Sequence, residues 1–197
     1  MNPSVRPAEL SRLVQLDESL RKEAGRVLSV SGLGEVLRAE GFEAVGSYVM
    51  RTMTWRDLDF ERVQDPPDWC RHWELGARLA KIDWVWRFSC TDAYRQPGGI
   101  DRGLYWGLRL SDPAGGPIWK VDLWTARAEE FAEADRARWV SLLTEETRIR
   151  ILAIKEAVCE LPEYRREMLS VHIYEAVLDG GVRGTEEFKR WWRARVR

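Results

Sequence analysis

At 197 residues, 45% hydrophobic and 32% charged, the chain can bury a substantial core and is too apolar to remain disordered. A formal net charge of -1 excludes a global nucleic-acid-binding field, so a nucleic-acid partner is not expected and any polyanion is met locally. Three scattered cysteines (Cys70, Cys90, Cys159), two histidines and no apolar run near 18 residues argue against a disulfide framework, a zinc site, a Ser-His-Asp triad or a membrane span.

The chain begins with a polar stretch that carries no signal peptide, and the expected setting is the reducing cytoplasm. Residues 8–28 carry Leu10, Leu13, Val14, Leu20, Ala24, Val27 and Leu28 at helical spacing, and Ser31 caps a short second helix that Gly41 stops. "FEAVGS" then predicts a brief buried strand ending at Gly46-Ser47. "YVMRTM" is long enough for one or two helical turns, and "DLDFERV" alternates as a second strand. Asp68 caps a helix that displays Trp69, Trp73, Gly76 and Leu79. Three more strands are predicted in "DWVWRFSCTD", "GLYWGLRLSD" and "PIWKVDLWT", with "DPAGGP" turning the last two into an antiparallel hairpin. Beyond Thr125 the pattern is helical, at 126–140, 145–159, 162–178 and 186–195. The expected fold class is α+β: a mixed sheet of about five strands flanked by helices in residues 1–125, with a helical C-terminal region over 126–197 packed on it.

Residues two apart in a strand share a face, so Asp57 and Asp59 point the same way, with Glu61 next along and Leu58 and Phe60 opposite. Like charges side by side repel unless a cation lies between them, and hard oxygen donors suit Mg²⁺. The alternative is a solvated edge. Just upstream, the Gly46-Ser47 turn offers backbone N–H groups and a hydroxyl to an anion, and Arg51 and Arg56 carry charge for a phosphate. A nucleoside triphosphate with Mg²⁺ needs both an anion-binding turn and a cation-binding pair.

Gly46-Ser47, nine intervening residues and "DLDF" resemble the nucleotidyltransferase signature of the polymerase-beta-like fold, found in aminoglycoside, lincosamide and minimal nucleotidyltransferases. The resemblance covers about residues 40–125, and the intervening "YVMRTMTW" is bulkier than in many relatives. That family uses a third carboxylate on a later strand, a position that Asp122 in "WKVDLW" fits. The resemblance implies that Asp57, Asp59 and Asp122 hold magnesium, two ions in all, with Asp122 as general base. Gly46 and Ser47 would contact the triphosphate. The implied reaction moves a nucleoside monophosphate from an NTP to a hydroxyl of a small, aminoglycoside- or lincosamide-like molecule, releasing pyrophosphate. The alternatives are an antitoxin-like enzyme that adenylylates a protein and a catalytically silent nucleotide-binding module.

Lys120 either neutralises phosphate charge or pairs with Asp122. Trp106, Trp119 and Trp124 read as core before they read as base-stacking platforms. His72 is expected at the surface or its boundary, and Cys90 in the packing. The basic, aromatic "FKRWWRARVR" reads as a terminal helix with acids at its start and bases at its end rather than as a nucleic-acid site.

Overall fold

The computed structural model describes residues 7–96, 102–111, 116–131, 133–164 and 166–196. They cluster into two units. A sheet unit comprises Leu20–Val49 and Trp55–Glu133, and a helical unit comprises the described parts of Met1–Ser19, Met50–Thr54 and Ala134–Arg197.

The sheet unit contains β1 (Glu43–Val45), β2 (Asp57–Val63), β3 (Val85–Asp92), β4 (Leu104–Leu110) and β5 (Trp119–Ala126) in the order β1-β2-β5-β4-β3. Only the β2–β5 pair is parallel, so the sheet is mixed, as the sequence predicts. The β4–β5 pair is antiparallel, whereas most of the expected "DPAGGP" turn lies outside the described residues. Period-two alternation sends Leu58 and Phe60 of β2, Trp106 and Leu108 of β4, and Trp119, Val121 and Leu123 of β5 into the core. Further core positions come from Leu20, Ala24 and Val27 of helix α1 (Pro7–Val30), Leu33 and Leu37 of α2 (Leu33–Ala39), and Leu75 and Leu79 of α4 (Trp69–Leu79). A four-residue helix, α3 (Gly46–Val49), follows β1. Strand β3 departs from the expected alternation. Its register shifts between Val85 and Arg87, and Trp84 lies outside the strand.

Helix α4 shows how closely these layers approach. Asp68 caps it by accepting from Arg71 N at 3.1 Å. A Cβ on Gly76 would lie 2.3 Å from the Trp106 ring, so glycine is required where α4 crosses β4. The expectation for His72 is overturned here. It is wholly buried, stacked between Trp69 at 5.4 Å and Trp106 at 5.2 Å, because the inward face of the helix is His72, Leu75, Gly76 and Leu79 while Trp73 stays exposed.

Burial pulls the His72 pKa down to about 4 from an ordinary 6.5. Between those values the unfolded chain binds the proton and the folded one does not, so stability falls as pH drops through that window. At about 1.4 kcal/mol per pH unit the loss by pH 4 is about 3 kcal/mol. His72→Phe keeps a ring in the stack and removes the titration. Urea denaturation is expected to show a shallower pH dependence in the variant, and equal slopes would refute the assignment.

The helical unit contains α5 (Glu133–Leu142), α6 (Glu145–Val158), α7 (Ser170–Tyr174), which runs into a π-turn over Glu175–Asp179, and α8 (Thr185–Arg195). Helix α6 starts where Thr144 and Thr147 cap each other's backbone N–H groups. Its Ile151, Leu152, Ile154 and Val158 are buried, as are Ile173, Val177 and Phe188. Two predicted helices are shorter than expected. Residues 128–130 form a 3-10 turn before α5, and α7 begins at Ser170 rather than at residue 162. Among the described residues no helix is long and apolar enough to cross a membrane.

Candidate active site

Strand β2 alternates half-buried and buried positions from Asp57 to Arg62, so Leu58 and Phe60 anchor it while Asp57 and Asp59 stand on the opposite face. Strand β5 alternates likewise, with Lys120, Asp122 and Trp124 on that same face. Their parallel register sets Asp59 directly opposite Asp122 and Asp57 opposite Lys120. Ligand oxygens of Asp57, Asp59 and Asp122 therefore lie within 4.8 Å of one another.

Charge in this cluster is balanced from within the chain. The Lys120 ammonium lies 3.2 Å from Asp57 Oδ1 and 2.5 Å from Asp122 Oδ2. Burial acts to lower its pKa, but Asp57 and Asp122 outweigh that and the net shift is upward, so the ammonium stays charged. Tyr105 OH donates to Asp122 Oδ1 at 2.9 Å, and Trp55 Nε1 donates to Asp57 Oδ2 at 3.3 Å. Burial and the Asp122 charge both push the Tyr105 pKa up, which keeps the phenol a donor. Its route to Asp122 passes over Gly107, where a Cβ would meet the phenol oxygen at 2.3 Å.

Gly46 closes the other side. It has φ +66°, and a Cβ there would stand 2.8 Å from Asp59 Oδ2. Both the backbone conformation and the closeness of the carboxylate demand glycine. Ser47, the next residue, is buried.

Each of the two arginines has an acidic partner in its own unit. Arg56 forms a two-pronged bond with Glu23, at 2.8 and 3.0 Å, and Glu23 also accepts from Trp119 Nε1 at 3.0 Å. The Arg56 bond, with help from Trp119 and against the effect of burial, holds the Glu23 pKa down. Arg51 belongs to the helical unit, has φ 54° and lies 3.5 Å from Glu145. Trp106 and Trp119 are buried, and Trp124 packs against Tyr105 with ring centroids 4.8 Å apart.

Three carboxylates this close together suit a hard divalent cation. Asp57 Oδ1 is buried and faces the Lys120 ammonium at 3.2 Å, so a bound cation would replace that ammonium there, and the donors are all oxygen, as Mg²⁺ prefers. Two residues of this constellation, Tyr105 and Trp55, were not singled out from sequence. Trp55 lies two residues before Asp57, and that proximity was its only sequence signal. For Tyr105 the expected β4–β5 hairpin names the neighbouring strand, but only the register brings its hydroxyl to Asp122.

No family model matches the chain, and no curated protein matches it in sequence. Solved structures do. The chain matches a cytoplasmic RNA terminal U-transferase with a TM-score of 0.57 and 13% identity, over 85% of this chain and 54% of that one. It matches the non-canonical poly(A) polymerase complex GLD-2–GLD-3 with a TM-score of 0.53 and 12% identity, over 84% and 57%. A mutant of the Cid1 poly(U) polymerase bound to MgATP gives 0.52 and 11%, over 79% and 49%. The chain thus spans about half the length of these structures. With the carboxylates of β2 and β5 brought together, the chain shares the fold of these terminal transferase and polymerase structures.

Proposed function

We propose that this chain transfers a nucleoside monophosphate from an NTP to an acceptor hydroxyl and releases pyrophosphate. The observation that carries the reading is the convergence of Asp57, Asp59 and Asp122 beside the left-handed Gly46 turn. Asp57 and Asp59 would hold Mg²⁺, with Asp122 completing the ligand set for a second ion. Magnesium bound there supplies Lewis-acid activation of the attacking oxygen and neutralises charge on the α-phosphate and leaving pyrophosphate.

The chain's own residues divide the remaining work. Gly46 and Ser47 would contact the triphosphate, with Gly46 held against Asp59 where a side chain has no room. Tyr105 holds Oδ1 of Asp122, which leaves Oδ2 as the oxygen that takes the acceptor proton once Lys120 moves off it. The acceptor oxygen forms its bond to the α-phosphorus as the bond to the β-phosphate bridging oxygen breaks. Lys120, released from the carboxylates, is then a mobile cation beside the phosphates.

For the acceptor, the similar folds favour the 3′-hydroxyl of an RNA, since the solved structures are RNA terminal U-transferase and poly(A) and poly(U) polymerase structures. The aminoglycoside- or lincosamide-like acceptor expected from the motif has no counterpart among them. A silent module has one observation in its favour, the Lys120 ammonium among the acids.

One experiment separates these readings. Each NTP is offered with and without Mg²⁺, and pyrophosphate release is followed with a short RNA, an aminoglycoside, a lincosamide or no acceptor. Mg²⁺-dependent release with elongation of the RNA is expected. Triphosphate binding without release under all conditions would support the silent module, and no metal-dependent binding would end the nucleotide reading.

A further inference from the structure

The register of the sheet places a row of cations beside the carboxylates. Lys120 of β5 faces Asp57 of β2, Arg109 of β4 faces Lys120, and Arg87 of β3 faces Arg109. Directly opposed residues share a face, so Lys120, Arg109 and Arg87 stand side by side on the face that carries Asp57, Asp59 and Asp122. Neighbouring strands lie about 4.8 Å apart, so the row extends about 10 Å from Lys120 to the edge strand.

Like charges directly opposite on paired strands are destabilising, and three in succession need an explanation. Lys120 has its own, in Asp57 and Asp122. The other two do not. Arg87 is exposed and Arg109 half-buried, and among the described residues neither makes an ion pair. The arrangement is unfavourable in isolation and favourable against an anion laid along the row.

The next row on the same face runs Asp59, Asp122, Gly107, Ser89, and the one beyond it runs Glu61, Trp124, Tyr105, Thr91. Beside Asp122 the Tyr105 phenol covers Gly107, so the cation row runs along one side of a Tyr105–Trp124 pair that borders the acids. Gly46 lies against Asp59, on the β1 side of the acids, which leaves the β4–β3 side for the acceptor.

We propose that Arg109 and Arg87 seat consecutive phosphates of the acceptor, which is accordingly a single-stranded nucleic acid whose 3′ end reaches Asp122. This rests on the transfer reading above and adds to it the residues that hold the acceptor. It also turns the charge argument against aminoglycosides, which are polycations and would be repelled by the row. Arginine suits the role because its planar fork meets phosphate oxygens in pairs.

The test uses the full chain with Arg87→Glu/Arg109→Glu, and with Arg38→Glu/Lys81→Glu as a control of equal charge change at exposed sites elsewhere on the unit. Binding of a fluorescent single-stranded RNA is measured between about 50 and 200 mM salt, and MgATP binding is measured in parallel. The Arg87/Arg109 variant is expected to lose RNA affinity by about tenfold or more and to shed about 1.4 from the salt slope, the share of two single-strand phosphate contacts. MgATP affinity stays within about twofold, and the control keeps its RNA slope. An unchanged slope in the Arg87/Arg109 variant, or an equal loss in the control, would overturn the proposal and leave the two arginines as solvated edge charges. Failure of the wild-type chain to bind MgATP would instead strike the transfer reading. Retention of MgATP binding with no RNA affinity at any salt concentration would overturn the acceptor assignment alone.

Discussion

Asp122→Asn is expected to leave MgNTP binding within about threefold and to lower nucleotidyl transfer by at least about 10³-fold. Asparagine is isosteric, so β5 keeps its register opposite Asp59, and the amide oxygen still accepts from Tyr105. The position of Oδ2 is what changes. It now holds an NH₂ group that neither takes a proton nor attracts Lys120. General-base loss alone costs about 10²–10⁴-fold, and loss of a ligand carboxylate adds to it. Asp57→Asn is expected to differ, because Asp57 is proposed to hold the metal that comes with the nucleotide and is also the partner of Lys120, so binding and turnover fall together. Single-turnover pyrophosphate release with calorimetric nucleotide binding separates the two patterns. An Asp122→Asn enzyme with more than about a tenth of wild-type turnover would remove Asp122 from the chemistry.

The residues that were legible and those that were not differ for a physical reason. "DLDFERV" and "WKVDLW" declare their faces through period-two alternation, and the two acids of β2 need no tertiary information to be placed side by side. What alternation cannot supply is the neighbour of each strand. The parallel β2–β5 pairing puts Asp59 opposite Asp122, and the antiparallel β4–β5 pairing delivers Tyr105 and Arg109 to the same face. Arg56 shows the converse. Its sequence position beside Asp57 suggested a phosphate ligand, but Glu23, 33 residues earlier on α1, engages it. The helix expected from residue 162 failed because its signal was ambiguous. Tyr164 and Met168 are both buried at helical spacing, yet what joins them is an isolated bridge. Charged residues on apolar stripes were the signal that sequence reading passed over. Asp17 lies four residues after Leu13 and three before Leu20, both buried, and it is itself fully buried.

That aspartate leads to the largest stability effect expected outside the acid cluster. Arg148→Met is expected to destabilise the helical unit by about 3–5 kcal/mol, because it strands a carboxylate in the interior. Asp17 accepts from Arg148 Nη2 and from Met53 N, both at 2.7 Å. Arg148 Nε donates to the Arg51 carbonyl at 2.7 Å, and Lys155 Nζ donates to the Thr52 carbonyl at 2.7 Å. Three buried charges thus grip three consecutive residues, 51 to 53, in the bulky stretch between Gly46-Ser47 and Asp57. They hold Arg51 in a left-handed conformation that costs an ordinary residue about 1–2 kcal/mol. Burial opposes the Arg148 charge, but Asp17 and Glu145 raise its pKa overall, so the guanidinium stays charged. Removing one member leaves the other charged and dry, whereas removing both leaves only apolar surface to pack. Asp17→Leu/Arg148→Met is therefore expected to cost less than the sum of its two single substitutions, a sign that packing at either site alone would not produce. Urea denaturation of the four proteins reads this directly. Single variants within about 1 kcal/mol of wild type, or strictly additive losses, would show that the pair does not anchor residues 51 to 53.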